Sequence, residues 1–210
     1  MIRILVADDH AVVRKGLKQI VSDTPDMVVA AEASSGQEAL NKALEDDYDV
    51  VLLDITMPDR SGLDILKEIK GQKRELPVLM LSIHPEEQYA LRALKAGAAG
   101  YLTKESASEE LIRAIRRVSD GGKYITLALT EKLASVLETD AEKPLHQVLS
   151  DREYQVLCMI ASGKRVKQIA NELLLSAKTI STYRSRVLQK MKMNNNIELI
   201  RYAIQNQLVS

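Results

Sequence analysis

Five short apolar runs, at residues 2–7, 27–32, 50–54, 77–82 and 100–102, alternate with amphipathic stretches near 11–22, 36–45, 61–70, 86–96 and 108–120. That alternation leaves few folds open. Apolar runs without polar interruption read as strands buried on both faces. A strand followed by a helix before the next strand joins its neighbour in parallel, through a right-handed crossover. The expected architecture is α/β, a flavodoxin-like (βα)5 domain with sheet order 2-1-3-4-5. Its crevice lies at the carboxyl ends of strands 1 and 3. Ser35-Gly36-Gln37-Glu38 and Ser106-Ala107-Ser108-Glu109 have capping-box spacing at two helix starts.

After Asp120-Gly121-Gly122 the alternation stops. Thr130–Glu138 reads as one short helix, and the polar stretch Thr139–Pro144 as the hinge. Everything beyond reads as helix. Ser150 to Glu153 forms a capping box for a helix ending near Ser162-Gly163, Val166–Leu173 is a second, Ser176 caps a third running to about Met191, and Ile197–Gln205 is a fourth. The expected division is an α/β domain over 1–122, a helical linker over 123–146 and a small all-α four-helix domain over 147–210. The formal net charge of zero conceals a polarity. Residues 1–145 hold 19 Lys+Arg against 25 Asp+Glu, a net −6, and residues 146–210 hold 10 against 4, a net +6. A basic end on an acidic body suggests a polyanion partner for that end. No apolar stretch approaches the ~20 residues that span a bilayer, and the first residues lack the pattern of a signal peptide, so the expected location is cytoplasmic. The single cysteine, Cys158, excludes an internal disulfide and reads as a small core residue.

Strand 1 ends on Asp8-Asp9 and strand 3 on Asp54, which brings three carboxylates to one crevice. Clustered carboxylates repel, and a bound divalent cation offsets that cost most simply. Oxygen ligands suit Mg²⁺ or Mn²⁺, and Mg²⁺ commonly bridges to a phosphoryl group. An aspartate beside such an ion can attack phosphorus and form an acyl phosphate. Ser82, at the end of strand 4, supplies a hydroxyl donor for a phosphoryl oxygen, and Lys104, after strand 5, supplies a point charge.

These residues resemble the receiver domains of two-component response regulators. The pattern is carried by Asp8-Asp9, Asp54-Ile55-Thr56-Met57-Pro58, Ser82, and Tyr101 ahead of Lys104, over roughly residues 1–120. The resemblance implies that Asp54 accepts phosphate from a sensor histidine kinase. Asp9, Asp54 and the carbonyl of Thr56 would then hold Mg²⁺, with Asp8 acting mainly through water. Ser82 would turn toward the phosphoryl group and Tyr101 would fill the space vacated, biasing the face formed by helix 4, strand 5 and helix 5. Two residues depart from the pattern. Glu105 stands after Lys104 where many receivers have proline, and Ile83 after Ser82 where a small residue is usual. A bulky Ile83 is expected to narrow access to Asp54 and slow both phosphate exchange and dephosphorylation.

In the basic end, Ile180, Val187 and Met191 share one helix face while Lys178, Ser181, Thr182, Ser185 and Gln189 share another that is free of acids. Such a helix suits the major groove, with short hydroxyls near base edges and Lys178, Arg184, Arg186 and Lys190 at phosphates. Leu149-Ser150-Asp151-Arg152-Glu153, Gln168-Ile169-Ala170 and Ser176-Ala177-Lys178-Thr179-Ile180 resemble the LuxR/FixJ-type helix-turn-helix. The whole chain is thereby identified as a member of the NarL/FixJ response regulators. The resemblance makes Ala177–Met191 the recognition helix, adds Thr179 and Tyr183 to the DNA contacts, and makes Ile197–Gln205 the dimer-forming helix. The expected function is phosphorylation-controlled transcriptional regulation by a homodimer on double-stranded DNA, with a histidine kinase and RNA polymerase as protein partners. The only expected chemistry is phosphorylation and slow dephosphorylation at Asp54, not enzymatic turnover of an external substrate. A phosphorylation-independent DNA-binding regulator is one alternative. A haloacid-dehalogenase-like phosphatase is another, but it needs a second acid where Thr56 stands.

Overall fold

The structure is a computed structural model. It describes residues 1–106, 108–126, 129–131 and 144–209, with the side chain of Glu87 also set aside. The chain divides into two compact units, Met1–Ala134 and Ser135–Ser210.

In the first unit the strands are β1 (Ile2–Ala7), β2 (Met27–Ala33), β3 (Val50–Asp54), β4 (Val78–Ser82) and β5 (Gly100–Thr103). They form one parallel sheet in the order β2-β1-β3-β4-β5. The helices between and after them are α1 (Ala11–Ser22), α2 (Gly36–Glu45), α3 (Gly62–Gln72), α4 (Glu86–Lys95) and α5 (Ser108–Ser119). The architecture expected from the alternation is the one observed. Every residue of β3 and β4 is buried, which is why neither strand shows polar alternation in sequence. Ile4, Val6, Val50, Leu52, Leu79, Leu81 and Leu102 pack with Leu17 and Val21 of α1 and with Leu111, Ile115 and Val118 of α5. The intervening strand residues Leu5, Val51, Leu53 and Met80, all fully buried, project from the opposite face by the two-residue period of a strand.

The helix starts follow the caps with one exception. Ser35 caps α2 by accepting the Glu38 amide, and Asp59, from the loop after β3, accepts the Gly36 and Gln37 amides at 2.7 and 2.8 Å. The Ser106 box does not form. Helix α5 begins at Ser108, so Ser106 lies too early to be its cap, and its hydroxyl instead meets Thr103 Oγ1 at 3.2 Å.

The second unit contains a 3-10 turn (Leu145–Val148), α6 (Asp151–Ala161), α7 (Val166–Glu172), α8 (Ala177–Met191) and α9 (Asn196–Gln205). Ser150 and Glu153 make a complete capping box at α6. Val156, Ile160, Ile169, Leu173 and Ile180 form its apolar centre. The segment read from sequence as a linker is docked at both ends. Tyr124 extends the edge of β5 through its amide to the Ala99 carbonyl at 2.9 Å, and its hydroxyl donates to Glu110. At the other end His146 Nδ1 meets the Tyr202 hydroxyl at 2.9 Å, which ties the 3-10 turn to α9. The Thr130–Glu138 helix and the Thr139–Pro144 hinge fall largely outside the described residues.

The loop from β3 to α3 returns so tightly that a Cβ on Gly62 would lie 2.0 Å from the Asp54 carbonyl oxygen. Both groups are backbone-anchored, so the clash cannot be relieved by a rotamer change. Gly62→Ala is expected to cost at least about 1–3 kcal/mol, read as a lowered urea midpoint, and to displace Asp54 as well.

Candidate functional site

Strand register assembles the site. Ala7 pairs with Leu53, so Asp8 and Asp54 leave the sheet side by side. Asp54 pairs with Leu81 and Ser82 with Thr103, which delivers Ser82 and Lys104 one step further along the same sheet edge. The Lys104 amide donates to the Ser82 carbonyl at 2.7 Å, fixing where the lysine stem begins. The peptide after Lys104 is trans, with Glu105 in place of proline.

Lys104 Nζ stands 2.7 Å from Asp8 Oδ2 and 2.7 Å from Asp54 Oδ2. Asp8 and Asp54 are 1% and 2% exposed, so this ammonium is the cation that both buried carboxylates meet. The remaining oxygen of Asp54, Oδ1, accepts the Thr56 amide at 3.2 Å. Burial is the largest influence on Asp54 and pushes its carboxyl up to about 6, against the attraction of Lys104, while the Asp8 carboxylate adds to the rise. Burial pulls the Lys104 ammonium down, but Asp54 and Asp8 outweigh it and hold the lysine above its usual value.

Ligand atoms of Asp8, Asp9, His10 and Asp54 all lie within 4.8 Å of one another. Asp8 Oδ2 and Asp9 Oδ1 are shielded from solvent and lack a partner with hydrogen-bond angles, despite their close charge contacts. Carboxylates so placed fit a divalent cation held through oxygen. The cluster sets a buried carboxylate, Asp54, beside a lysine ammonium and two further acids.

Ser82 and Tyr101 meet at one residue, His84, on its amide and its carbonyl. The Ser82 hydroxyl, fully buried, accepts the His84 amide at 3.0 Å. The Tyr101 hydroxyl donates to the His84 carbonyl at 2.8 Å, with its ring 1% exposed. Ile83, which lies between Ser82 and His84 in the chain, is 65% exposed.

In the second unit, Ser176 accepts the Thr179 amide at 3.0 Å and opens α8 with no acid in its first turn. Ile180, Val187 and Met191 are buried on one side. Lys178, Ser181, Thr182, Ser185, Arg186 and Lys190 are exposed, while Thr179, Tyr183 and Arg184 are half-buried.

Two family descriptions match the two units. Residues 4–116 match the response regulator receiver domain, and residues 147–203 match the bacterial regulatory proteins of the luxR family. The chain belongs to the two-component response regulators. Its output domain places it in the NarL/FixJ class. The chain is 36% identical to the response regulator UvrY of Escherichia coli (strain K12), over 99% of this chain and 96% of the relative. It is also 36% identical to the response regulator GacA of Pseudomonas viridiflava, over 100% and 98%. Among solved structures, RcsB from Salmonella enterica serovar Typhimurium, bound to promoter rprA in the presence of the phosphomimetic BeF3-, matches with TM-score 0.65 at 25% identity, covering 96% of this chain and 97% of that one.

Within this response regulator the structure changes the weight of several residues. Lys190, read from sequence as a phosphate contact, has its ammonium 2.7 Å from the buried Glu153 carboxylate. Burial raises Glu153, but Lys190 and the Ser150 amide outweigh that and hold its carboxyl below the usual range. Arg184 Nε donates to Asn196 Oδ1 at 2.6 Å, tying α8 to α9. Tyr183 packs against the apolar centre of its unit. Two residues, His10 and Asp59, had escaped notice. His10 joins the acid cluster, and its position directly after Asp8-Asp9 was the available signal. Asp59 caps α2 from a loop distant in sequence, for which no local pattern exists. The His84 backbone, not its ring, is what Ser82 and Tyr101 hold.

The raised Asp54 carboxyl has a measurable sign. A free aspartate loses its proton near pH 4, whereas folded Asp54 keeps it to about 6. At this one group the folded state therefore binds more protons across that window, so the contribution of Asp54 to stability without a divalent cation should fall as pH rises from about 4 to about 6, then level off. The full swing is on the order of 3 kcal/mol. Carboxylates held low, such as Glu38 at about 2, act in the opposite sense, so the check is the difference between parent and Asp54→Asn urea midpoints in chelator, which should fall from the lower to the upper end of the window.

Proposed function

We propose that the protein is a phosphorylation-controlled, sequence-specific transcription regulator that acts as a dimer on double-stranded DNA. The observation that carries the reading is Asp54, buried, 2.7 Å from Lys104 and grouped with Asp8 and Asp9, on a chain whose other unit is of the luxR family. An Asp54 oxygen forms the new O–P bond as the P–N bond to the kinase histidine breaks, leaving the electron pair on that nitrogen. The acyl phosphate carries its charge on phosphoryl oxygens, so the Lys104 ammonium exchanges its carboxylate partner for them. Asp8, Asp9, Asp54 and the Thr56 carbonyl would hold Mg²⁺ or Mn²⁺, which when bound supplies charge neutralisation for the transferred group. Ser82 donates its hydroxyl to the phosphoryl group and gives up the His84 amide. Tyr101, bound to the carbonyl of the same residue, follows it.

The output assignment rests on α8, whose exposed face offers hydroxyls and cations to a groove. Thr179, Ser181, Thr182, Tyr183 and Ser185 lie within reach of base edges in this reading, and Lys178 and Arg186 meet phosphates. RcsB has been solved as dimers on DNA, and the present chain pairs through α9 in the same reading. A sensor histidine kinase is the phosphodonor and RNA polymerase a further contact.

Selection of bound DNA with and without beryllofluoride tests this function. Binding at least tenfold tighter with the mimic, lost in Asp54→Asn, is the expected result; equal binding in both conditions would overturn it. A second measurement separates the cations. Lys178→Ala should reduce the slope of log affinity against log salt by about 0.9. Lys190→Ala, whose ammonium neutralises Glu153, should lower thermal stability and leave the slope close to the parent's.

A further inference from the structure

We propose that His10 is a metal ligand, and that it tunes the acidic cleft toward first-row transition dications over Mg²⁺. The proposal rests on the divalent-cation reading of the cleft and adds to it a nitrogen donor. His10 Nδ1 faces inward, 2.7 Å from Asp9 Oδ1 and 3.4 Å from Asp8 Oδ1, although 61% of its side chain is exposed. Its backbone is held in place, since the His10 amide donates to Asp8 Oδ1 at 2.8 Å and the residue is the N-cap of α1. Arg14 Nη1, one turn further, donates to the Asp8 carbonyl at 2.7 Å and fixes the same corner.

The spacing suits shared coordination. With bonds of about 2.1 Å, adjacent ligands of an octahedral ion lie about 3.0 Å apart and opposite ones about 4.2 Å. The His10 distances of 2.7 and 3.4 Å bracket the first value, and the 4.8 Å span of the four ligand atoms is close to the second. A further observation points to a ligand. Asp9 Oδ1 is shut off from solvent, yet its contact with His10 Nδ1 lacks the angles of a hydrogen bond. A cation between the two would satisfy both. Lys104 stands at the Oδ2 atoms of Asp8 and Asp54, whereas His10 stands at Asp8 Oδ1 and Asp9 Oδ1, away from the ammonium.

Carboxylate and carbonyl oxygens accept Mg²⁺ and Mn²⁺ readily, whereas imidazole favours the later first-row ions. Any oxygen site already prefers those ions somewhat, so the preference of the parent protein decides nothing. What identifies His10 is an ion-selective loss on its removal. Co²⁺ and Mg²⁺ affinities of the full chain are to be measured by titration calorimetry for the parent, His10→Asn and Asp9→Asn. Asparagine is a favoured N-cap, so His10→Asn keeps the start of α1 intact. The expected result is that His10→Asn weakens Co²⁺ binding at least tenfold and Mg²⁺ binding less than twofold, and shifts the visible absorption of bound Co²⁺. Equal losses for both ions, or no loss for Co²⁺, would overturn the proposal. Asp9→Asn should weaken both ions. If it weakens neither, the divalent-cation reading of the cleft fails, and the role of His10 falls with it.

Discussion

The Lys104 ammonium between Asp8 and Asp54 is the interaction on which the rest of the first unit depends. Two carboxylates brought to one sheet edge at 1% and 2% exposure repel each other across an interior that screens poorly. A cation 2.7 Å from each makes that edge tolerable. Such a pairing is weak evidence for stability, because desolvation of all three groups opposes it, but removing the lysine would leave uncompensated buried charge at a cost of about 3–5 kcal/mol. The arrangement is therefore better understood as a poised site. Burial, with the Asp8 carboxylate adding to it, raises the Asp54 carboxyl despite the attraction of Lys104.

From Lys104 the constraint passes to the neighbouring strands through backbone. Its amide is bound to the Ser82 carbonyl, and Ser82 in turn accepts the His84 amide. The carbonyl of His84 is taken by Tyr101. One residue is thus held at both ends by the two side chains that the receiver pattern associates with switching. Its imidazole lies 5.0 Å from the ring of Tyr89 on α4. In the proposed switch, a Ser82 hydroxyl turned toward a phosphoryl group would release the amide of His84, the residue to which Tyr101 and α4 are attached. The coupling needs no long pathway, because β4, α4 and β5 meet at His84.

How much of this was legible in sequence follows from the range of the interactions. Strand 3 was readable because all of Val50–Asp54 is buried, so each residue carries the signal. The sheet order, the meeting of Asp8, Asp9, Asp54 and Lys104, and the placing of Ser82 at the same sheet edge followed from alternation together with strand ends. The failures involve single side chains with distant partners. Ser106 had capping-box spacing, but Thr103 competes for its hydroxyl. Lys190 reads as one more cation on a basic helix, and only folding brings it to Glu153, 37 positions earlier. Asp59 on the α2 amides, 22 and 23 positions away, is equally silent in one dimension. Tyr124 was assigned to a linker because a strand-edge contact of a single residue leaves no periodic trace.

The same distinction bears on how the output unit must work. Residues 146–210 carry a formal +6, which overstates the cations free to meet phosphates. Lys190 is committed to a buried carboxylate and Arg184 to Asn196. On the recognition helix that leaves Lys178 and Arg186 fully exposed. Electrostatic affinity for DNA grows with the number of phosphates neutralised. A unit that neutralises few of them binds weakly alone and gains most from a second copy placed one helical turn along. In the proposed reading, the few exposed cations of α8 raise the gain in DNA affinity that pairing of two chains would bring.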